Sequence, residues 1–323
     1  MATTSVQPAA PTGAAKTKKR GPGTLERRQE RWGFFFISPW IIGFLAFTLL
    51  PVAATFALSF TNYNPLKGEE THFVALDNYL TMLSDSKVGT SLLVTVRYGI
   101  LAIPVGLAFG LLLATLVNSR HLAGKNIFRT LFFMPSMIPV VAGALVWAGV
   151  MNTQSGWINL ILEAIGVPKG PDWLNDVWWI YPALVLIGLW GLGNLMLTLL
   201  AGMQGVPSEL YEAARMDGAS GFQQFWFITL PMISPVLFYN IIIGVIGAFK
   251  YFDLAYVLKN GTGGPADATL FYNLNLFKNV FNYNLYGYGS ALAWGLFLIA
   301  LAVTLALFNS SARWVYYAGE GRS

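Results

Sequence analysis

Long uncharged apolar stretches dominate the sequence, and short charged segments separate them. Six uncharged runs stand out, at residues 32–66, 98–119, 130–162, 177–208, 218–249 and 279–312. Each is longer than the roughly 20 apolar residues that a helix needs to cross about 30 Å of hydrocarbon. The pattern predicts six transmembrane helices, near 34–60, 92–118, 128–150, 179–203, 234–257 and 289–310.

A single run of this kind is also compatible with a buried helix of a large soluble protein. Six runs without the polar stripe that a soluble helix turns toward water favour a membrane bundle instead. Composition agrees, because apolar residues make up 55% of the 323 residues and charged residues only 11%. The fold class predicted from these observations is an all-α integral membrane protein.

The residue inventory excludes several kinds of chemistry. The chain has no cysteine and only two histidines, His72 and His121. A thiolate nucleophile, a disulfide framework and a multi-histidine metal site are therefore ruled out or nearly so. We predict no catalytic residue and no metal site.

Lysine and arginine are distributed unevenly between alternate loops. Thirteen of the 20 lie in segments 1–33, 119–129 and 204–231 and in the C-terminal tail, whereas the other loops hold five. Because basic loops stay on the cytoplasmic side, both termini are predicted to be cytoplasmic.

Residues 1–31 form a basic segment rich in Ala, Thr, Pro and Lys, which predicts a disordered arm. Its basic residues lie beside the first span, where interfacial anchoring accounts for them, so no nucleic-acid partner is predicted. The first uncharged run is far longer than a signal-peptide core, which favours a retained anchor.

Glycines lie in several spans, including Gly188, Gly191, Gly193, Gly244 and Gly247. They fit two interpretations, close packing between helices or room for a ligand along a transport path. The segments 61–90, 151–177 and 259–288 likewise fit either an external docking face or connectors with an interfacial tryptophan belt.

In the loop 207–231, between the fourth and fifth spans, capping and turn residues predict the local structure. Ser208 is suited to cap a helix that carries Glu209 and Glu212 in its first turns, and Gly218 is suited to the left-handed position after its last turn. Ser220 is suited to start a second short helix. The loop therefore predicts a short helix of about two and a half turns, a sharp turn and a second helix.

The order of residues in this loop carries a specific motif. Its fixed positions are Glu212-Ala213-Ala214, Gly218, Ile228, Leu230 and Pro231. The pattern resembles the EAA loop of the permease subunits of binding-protein-dependent ABC importers, with every signature position filled. The resemblance implies a type I ABC importer permease fold. It assigns 32–90 to the first transmembrane helix and an extracytoplasmic loop, 91–310 to the permease domain and 311–323 to a cytoplasmic tail.

In that family the loop forms a coupling helix that docks into a groove of a cytoplasmic ATPase. Carried over here, the small Ala213 and Ala214 enter the groove, Glu212 meets a basic group, and Gly218 makes the turn. The chain contains no G-x-x-x-x-G-K-[ST] phosphate loop. The resemblance thus implies a non-catalytic subunit without a cofactor of its own, with ATP and Mg²⁺ bound by the partner ATPase.

Over most of its length the chain is most similar to carbohydrate permeases of the maltose or glycerol-3-phosphate type. Weaker supporting stretches include Ser59-Phe60-Thr61 and Gly263-Gly264-Pro265. The resemblance implies a sugar importer in a bacterial or archaeal cell membrane. Its partners would be a second homologous permease, two ATPase subunits, an extracytoplasmic sugar-binding protein and membrane lipid.

Aligned on the EAA loop, the sugar-contacting positions of such permeases fall on two helices. They correspond to Trp190, Gly191 and Asn194 in the fourth span and to Gly244, Ala248 and Tyr251 in the fifth. Each set lies along one helical face, so together they predict the lining of a substrate path. The alternative for these positions is ordinary helix packing.

Three further alternatives remain open from the residues alone. Lys250 and Asp253 fit either an ion pair or side chains that reach the membrane interface separately. The cargo of an ABC permease fits an amino acid, phosphate or a polyamine as well as a sugar. A self-sufficient secondary transporter is the rival class, although it would be expected to carry acidic residues within its spans.

Overall fold

The computed structural model describes residues 24–66, 70–119, 122–167 and 170–316, and these are predominantly helical. Apart from an isolated antiparallel bridge between Thr61 and Phe73, this part of the chain contains no β-structure. The predicted all-α class is therefore confirmed.

The chain divides into two compact units, with the boundary after Thr55. The first unit contains helix α1 (Thr24–Phe44), a π-helical turn (Leu45–Leu49) and most of α2 (Leu50–Leu58). Residues 24–31 of the predicted disordered arm are thus helical, and residues 1–23 lie outside the described part. The physical reason is local, because Leu25, Glu26, Arg27 and Arg28 are good helix formers that extend the helix of the apolar span backward.

The second unit holds the remaining helices and two further π-helical turns, at Phe225–Thr229 and Lys278–Asn282, together with a 3₁₀ turn at Met134–Met137. Its α-helices are α3 (Asp77–Ser84), α4 (Ser86–Asn118), α5 (Lys125–Phe133), α6 (Val140–Val150), α7 (Trp157–Ala164), α8 (Ile180–Trp190), α9 (Gly193–Gln204), α10 (Ser208–Met216), α11 (Gly221–Gln224), α12 (Leu230–Met232), α13 (Ser234–Phe249), α14 (Asp253–Lys259), α15 (Tyr272–Phe277) and α16 (Tyr286–Ser311).

Within the described part of the chain, four segments are long and apolar enough to cross a membrane as helices. They are Arg31–Leu58, Ser86–Asn118, Ser234–Lys259 and Tyr286–Ser311. The predicted third and fourth spans are bent instead, by 100° between Met137 and Val140 and by 58° between Trp190 and Gly193. Counting each bent pair as one span gives the six predicted from the sequence. Pro135 and Pro139 flank the first break, and Gly191 lies in the second, so each break has helix-breaking residues.

Helix α4 is the central element of the second unit and packs against α8, α9, α13 and α15. Its 33 residues extend about 50 Å, longer than the hydrocarbon layer itself. Near its Ser86 end lies a core around Val94, Tyr98, Ile180 and Phe271. Toward its Asn118 end lies a separate core that includes Leu113, Val117, Met196 and Ile233.

Polar contacts brace the loops near the Ser86 end. The indole N–H of Trp173 donates to Oδ1 of Asn159 at 2.7 Å, and Asn159 donates to the carbonyls of Thr153 and Pro171. Lys87 forms an ion pair with Asp267 across the ends of α4 and the 260–271 loop. The α7 connection is therefore held together internally, and the 260–271 loop is tied to α4.

Candidate functional site

Helix α10 carries the first part of the predicted motif. It runs from Ser208 to Met216, the expected two and a half turns, with Pro207 rather than Ser208 at the position before its first turn. Glu212 and Ala213 are exposed and Ala214 is half-buried. Among the described residues neither Glu212 nor Arg215 forms an ion pair. The helix therefore presents a polar face that no other part of the described chain covers.

The end of α10 shows why glycine occupies position 218. Gly218 has φ +80°, the left-handed region that other residues rarely adopt. The amide of Ala219 donates to the carbonyl of Ala214 at 2.8 Å, and the amide of Gly218 donates to that of Arg215 at 3.1 Å. These two bonds form a Schellman motif, which ends the helix sharply. A Cβ added at Gly218 would meet nothing within 4 Å, so the requirement is conformational rather than steric.

Ser220 starts the second helix, as its sequence position predicts. Its hydroxyl accepts a hydrogen bond from the amide of Gln223 at 3.3 Å, and its own amide donates to Oε1 of Gln223 at 2.7 Å. This capping box satisfies donors at the start of α11. The turn between α10 and α11 is thus defined at both ends by the chain's own hydrogen bonds.

A hydrogen bond joins α10 to the segment that leads into the next span. The hydroxyls of Tyr211 and Thr229 lie 2.9 Å apart, and Thr229 is buried. The remaining motif positions flank Thr229, with Ile228 and Leu230 half-buried and Pro231 exposed. Because α10 is tied to this segment, a displacement of α10 acts directly on the base of α13.

Beneath α10 lies a cavity of about 370 Å³. Thr115 and Asn118 from α4, Gln204 from α9, and Tyr211 and Arg215 from α10 are among its lining residues. Eight of the twelve residues that line it carry hydroxyl, amide or guanidinium groups, which indicates a solvated space. Helix α10 is therefore supported through few contacts and is not embedded in the bundle.

The first predicted path set lies at the break between α8 and α9. Gly191 occupies the turn between these helices, Trp190 is the last residue of α8, and Asn194 is exposed on the first turn of α9. The ring of Trp190 packs edge-on against Trp147, with centroids 5.8 Å apart. Both tryptophans line a cavity of about 490 Å³. Among the described residues, the buried indole N–H of Trp147 has no hydrogen-bond partner.

The second predicted set lies at the end of α13. Gly244 and Ala248 face α4, because a Cβ added at Gly244 would lie 3.4 Å from Ile103 and one added at Gly99 would lie 3.3 Å from Ala248. These two positions therefore pack against a neighbouring helix. Tyr251 follows the last turn of α13, in the break before α14, and its hydroxyl is buried without a hydrogen-bond partner.

Tyr98 of α4 packs against Tyr251 of the second set and also approaches α8. Its ring lies 4.4 Å from that of Tyr251 and 5.4 Å from that of Phe271, and its hydroxyl lies 3.9 Å from the Cβ position of Gly188 on α8. Sequence reasoning missed Tyr98 as a candidate residue. Its signal is faint, an aromatic hydroxyl on the apolar face that also carries Val94.

The two predicted sets do not line one common cavity. Trp190 lines the cavity of about 490 Å³, whereas Ala248 lines a separate cavity of about 360 Å³ between α4, α13 and α16. Neither cavity is lined by Tyr98, Tyr251 or Phe271. These three residues pack against one another instead.

Lys250 and Asp253 do not form an ion pair in the described structure. Both side chains are exposed, on either side of the break between α13 and α14. Of the two interpretations left open by the sequence, the geometry favours side chains that reach the interface separately. Among the described residues no group of three or more His, Cys, Asp or Glu side chains is arranged to hold a metal ion.

Comparison with known proteins identifies related chains. The sequence profile described as "Binding-protein-dependent transport system inner membrane component" matches residues 106–322. The probable ABC transporter permease protein YesP of Bacillus subtilis is 40% identical over 90% of this chain and 94% of its own length. The trehalose/maltose transport system permease protein MalF of Thermococcus litoralis is 36% identical over 87% and 94%. The arabinooligosaccharides transport system permease protein AraP of Bacillus subtilis is 33% identical over 89% and 90%.

A solved structure shares the fold. In the crystal structure of a bacterial alginate ABC transporter in complex with an alginate pentasaccharide-bound periplasmic protein, one chain superposes with a TM-score of 0.77 at 21% identity. The match covers 88% of this chain and 96% of that chain. The predicted fold of an ABC importer permease is therefore confirmed.

Proposed function

The chain belongs to the family of binding-protein-dependent transport system inner membrane components, and from this premise we propose that it is the permease subunit of an ATP-binding-cassette importer for a carbohydrate. In this proposal it forms part of the membrane channel and performs no chemical step itself. ATP and Mg²⁺ are bound by partner ATPase subunits, because the sequence has no phosphate-binding loop of its own.

The observation that carries the proposal is the exposed helix α10. Its motif residues Glu212 and Ala213 lie on an uncovered surface, and the turn after it is fixed by the left-handed Gly218. An exposed short helix with a rigid end, attached to the bundle through one tyrosine–threonine hydrogen bond, suits insertion into a groove of another protein. We assign Glu212, Ala213, Ala214, Gly218, Ile228, Leu230 and Pro231 to ATPase coupling.

The choice of carbohydrate as cargo rests on the relatives and on the chemistry of the path. The relatives named for their cargo transport trehalose and maltose or arabinooligosaccharides. Aromatic rings beside polar donors are suited to stack on a sugar ring while binding its hydroxyls. Trp190 and Tyr251 supply the rings, and Asn194 supplies the amide. We retain all six positions as the substrate path, with Gly191, Gly244 and Ala248 providing close backbone approach.

The proposed assembly contains a second homologous permease, two ATPase subunits and an extracytoplasmic sugar-binding protein in the cell membrane. We assign both termini and α10 to the cytoplasmic side, on the strength of the basic residues in the corresponding loops.

A mechanism follows from the connection between α10 and α13. Loaded binding protein docks outside, ATP-driven closure of the ATPase draws α10 with it, and α13 moves because Thr229 joins it to α10. Movement of α13 relative to α4 separates Tyr251 from Tyr98 and so opens the packing at the break after α13. Each ligand must bind one state more tightly than the other for this cycle to run.

The test is transport by a reconstituted complex. The chain is purified with its partner permease, ATPase and binding protein, placed in proteoliposomes, and supplied with radiolabelled maltose, trehalose, lactose and an arabino-oligosaccharide. We expect ATP-dependent uptake of at least one sugar that also binds the isolated binding protein. Uptake by this subunit alone, driven by a proton or sodium gradient, would instead support a secondary transporter. Uptake that persists after replacement of both Glu212 and Gly218 would contradict the coupling assignment.

A further inference from the structure

The segment after α16 turns back and contacts the base of α13. The amide of Tyr316 donates to the hydroxyl of Ser234 at 2.8 Å. Ser234 is only 4% exposed, although it is the first residue of its helix. The last described residues of the chain are therefore attached to a buried hydroxyl beside the motif loop.

The hydroxyl of Ser234 also replaces a helical hydrogen bond that the backbone cannot make. In a continuous helix the carbonyl of Pro231 would accept a hydrogen bond from the amide of residue 235, but Pro235 has no N–H. The hydroxyl of Ser234 donates to the carbonyl of Pro231 at 2.6 Å instead. A hydroxyl donates one hydrogen bond and accepts others, so Ser234 serves both partners at once.

Aromatic packing holds the segment in place. Phe238, 5% exposed and one turn beyond Ser234, contacts Phe308 of α16 and Trp314 of the terminal segment. The ring centroids lie 5.2 and 5.7 Å apart, with planes nearly perpendicular at 87° and 79°. This edge-to-face arrangement is the favoured geometry for aromatic pairs. The terminal segment is therefore attached at two points, through Tyr316 and through Trp314.

These contacts surround a break in the helical backbone at Ile233, which we call the joint. Ile233 lies between α12 and α13 with φ −90° and ψ 4°, outside both helices. Its amide donates to the carbonyl of Thr229, whose hydroxyl meets Tyr211 of α10. Movement of α10 is thus transmitted to α13 through the joint, and Ser234 lies immediately after the joint.

We propose that Ser234 is a positioning residue for coupling, and that the segment Arg313–Tyr316 is a latch that holds it. The latch stiffens the joint at Ile233, so that displacement of α10 by the ATPase moves α13 instead of bending the chain between them. The proposal rests on the proposed function, because it assumes that α10 is the coupling helix. It adds the C-terminal segment to the coupling machinery.

The experiment measures how many ATP molecules the complete reconstituted complex hydrolyses for each sugar imported. Ser234→Ala removes both hydrogen bonds, whereas Ser234→Thr keeps the hydroxyl. Tyr316→Pro removes the amide donor of the latch together with the tyrosine ring, and Tyr316→Ala removes the ring but keeps the amide donor. Co-purification of the ATPase reports whether each variant assembles.

We expect Tyr316→Pro to raise the ATP-to-sugar ratio by about three- to tenfold, the factor that corresponds to one lost neutral hydrogen bond. Ser234→Ala should raise it by at least as much, because it loses two hydrogen bonds. Ser234→Thr and Tyr316→Ala should stay within about twofold of the wild type, since their hydrogen-bonding groups remain. Assembly with the ATPase should be retained in all four variants.

Wild-type ratios in both Ser234→Ala and Tyr316→Pro would overturn the latch. Should Tyr316→Pro fail to assemble, the double variant Ser234→Ala/Pro235→Ala decides the matter. It restores a backbone donor for the carbonyl of Pro231 and lacks only the bond to Tyr316, so a wild-type ratio in it overturns the latch. A wild-type complex without ATP-driven uptake overturns the proposed function and the latch with it. Normal wild-type uptake with insensitive latch variants overturns the latch alone.

Discussion

The ring of Tyr98 on α4 lies 4.4 Å from the ring of Tyr251 at the break between α13 and α14. Phe271 completes the cluster, with its centroid 4.6 Å from that of Tyr251. The three residues come from separate parts of the chain, so their packing holds α4, α13 and the 260–271 loop together. Aromatic pairs of this kind contribute about 0.5–1.5 kcal/mol each beyond their buried area, a modest cost to open during transport.

Replacing Tyr251 with Phe removes the hydroxyl that is buried without a hydrogen-bond partner. We expect the free energy of unfolding to be unchanged or to rise by up to about 1 kcal/mol, because no existing hydrogen bond is lost. If the hydroxyl binds the sugar during passage, uptake falls about tenfold, the effect of one lost hydrogen bond. Thermal unfolding of the purified subunit and uptake by the reconstituted complex measure the two effects.

Tyr98→Phe is the control for this variant, since it leaves the same ring packing and removes the neighbouring hydroxyl. Uptake that is equally normal in both variants would exclude the Tyr251 hydroxyl from the path while leaving the ring itself in place. A loss confined to Tyr251→Phe would identify its hydroxyl as a sugar contact.

At Gly218 a β-branched residue should weaken coupling. Gly218→Val must adopt φ near +80°, which costs an L-residue about 1–2 kcal/mol or more. Asn tolerates this conformation better, and nothing lies within 4 Å to obstruct its side chain. We expect Gly218→Val to reduce ATPase co-purification and uptake severalfold more than Gly218→Asn. Equal effects of the two variants would show that the left-handed turn is not what the ATPase requires.

Loss of Glu212 should affect the partner and not the fold. The side chain is exposed and forms no ion pair within the described residues, so Glu212→Ala should change the free energy of unfolding by less than about 0.5 kcal/mol. Binding to the ATPase should weaken, as judged by co-purification. Glu209→Ala, on the same helix and also exposed, is the matched control. A weaker complex with Glu209→Ala than with Glu212→Ala would argue against the assigned role.

Two glycines in the spans differ in their surroundings, since one is closely packed and the other borders free space. A Cβ at Gly193 would lie 2.7 Å from the Cα of Phe133, whereas one at Gly247 would meet nothing within 4 Å. We expect Gly193→Ala to destabilise the contact between α5 and α9 and to lower the yield of folded subunit, because backbone cannot move aside cheaply. Gly247→Ala should be tolerated. Detergent-solubilised yield and melting temperature distinguish them, and equal behaviour would refute the packing role of Gly193.

Hydrophobic length and local turn chemistry predicted much of this structure. The apolar runs coincide with the four long apolar helices and the two bent helix pairs, since burial in lipid requires long stretches without charge. The position of Gly218 predicted its left-handed turn, and Ser220 predicted the start of α11, because both signals act within a few residues. The helical conformation of residues 24–31 was not predicted, because amino-acid composition alone does not show that a neighbouring span extends a helix backward.

Contacts between segments that are far apart along the chain could not be predicted from the sequence. Nothing near Tyr98 indicates that it packs against Tyr251 and Phe271, because the pairing depends on how three segments are arranged. The alignment of Gly244 and Ala248 with sugar-contacting positions likewise cannot reveal that α4 packs against both. The attachment of Tyr316 to Ser234 has no local signature either, since an amide and a serine hydroxyl are present throughout the chain.

The π-helical turn at Phe225–Thr229 gives the loop and the span a fixed angular relationship. An α-helix advances about 100° for each residue, so the single extra residue of a π turn rotates everything before it relative to everything after it. Deleting one residue here would leave the length of the connection almost unchanged while turning α10 toward a different side of the bundle. The number of residues in this turn therefore sets the direction in which α10 points.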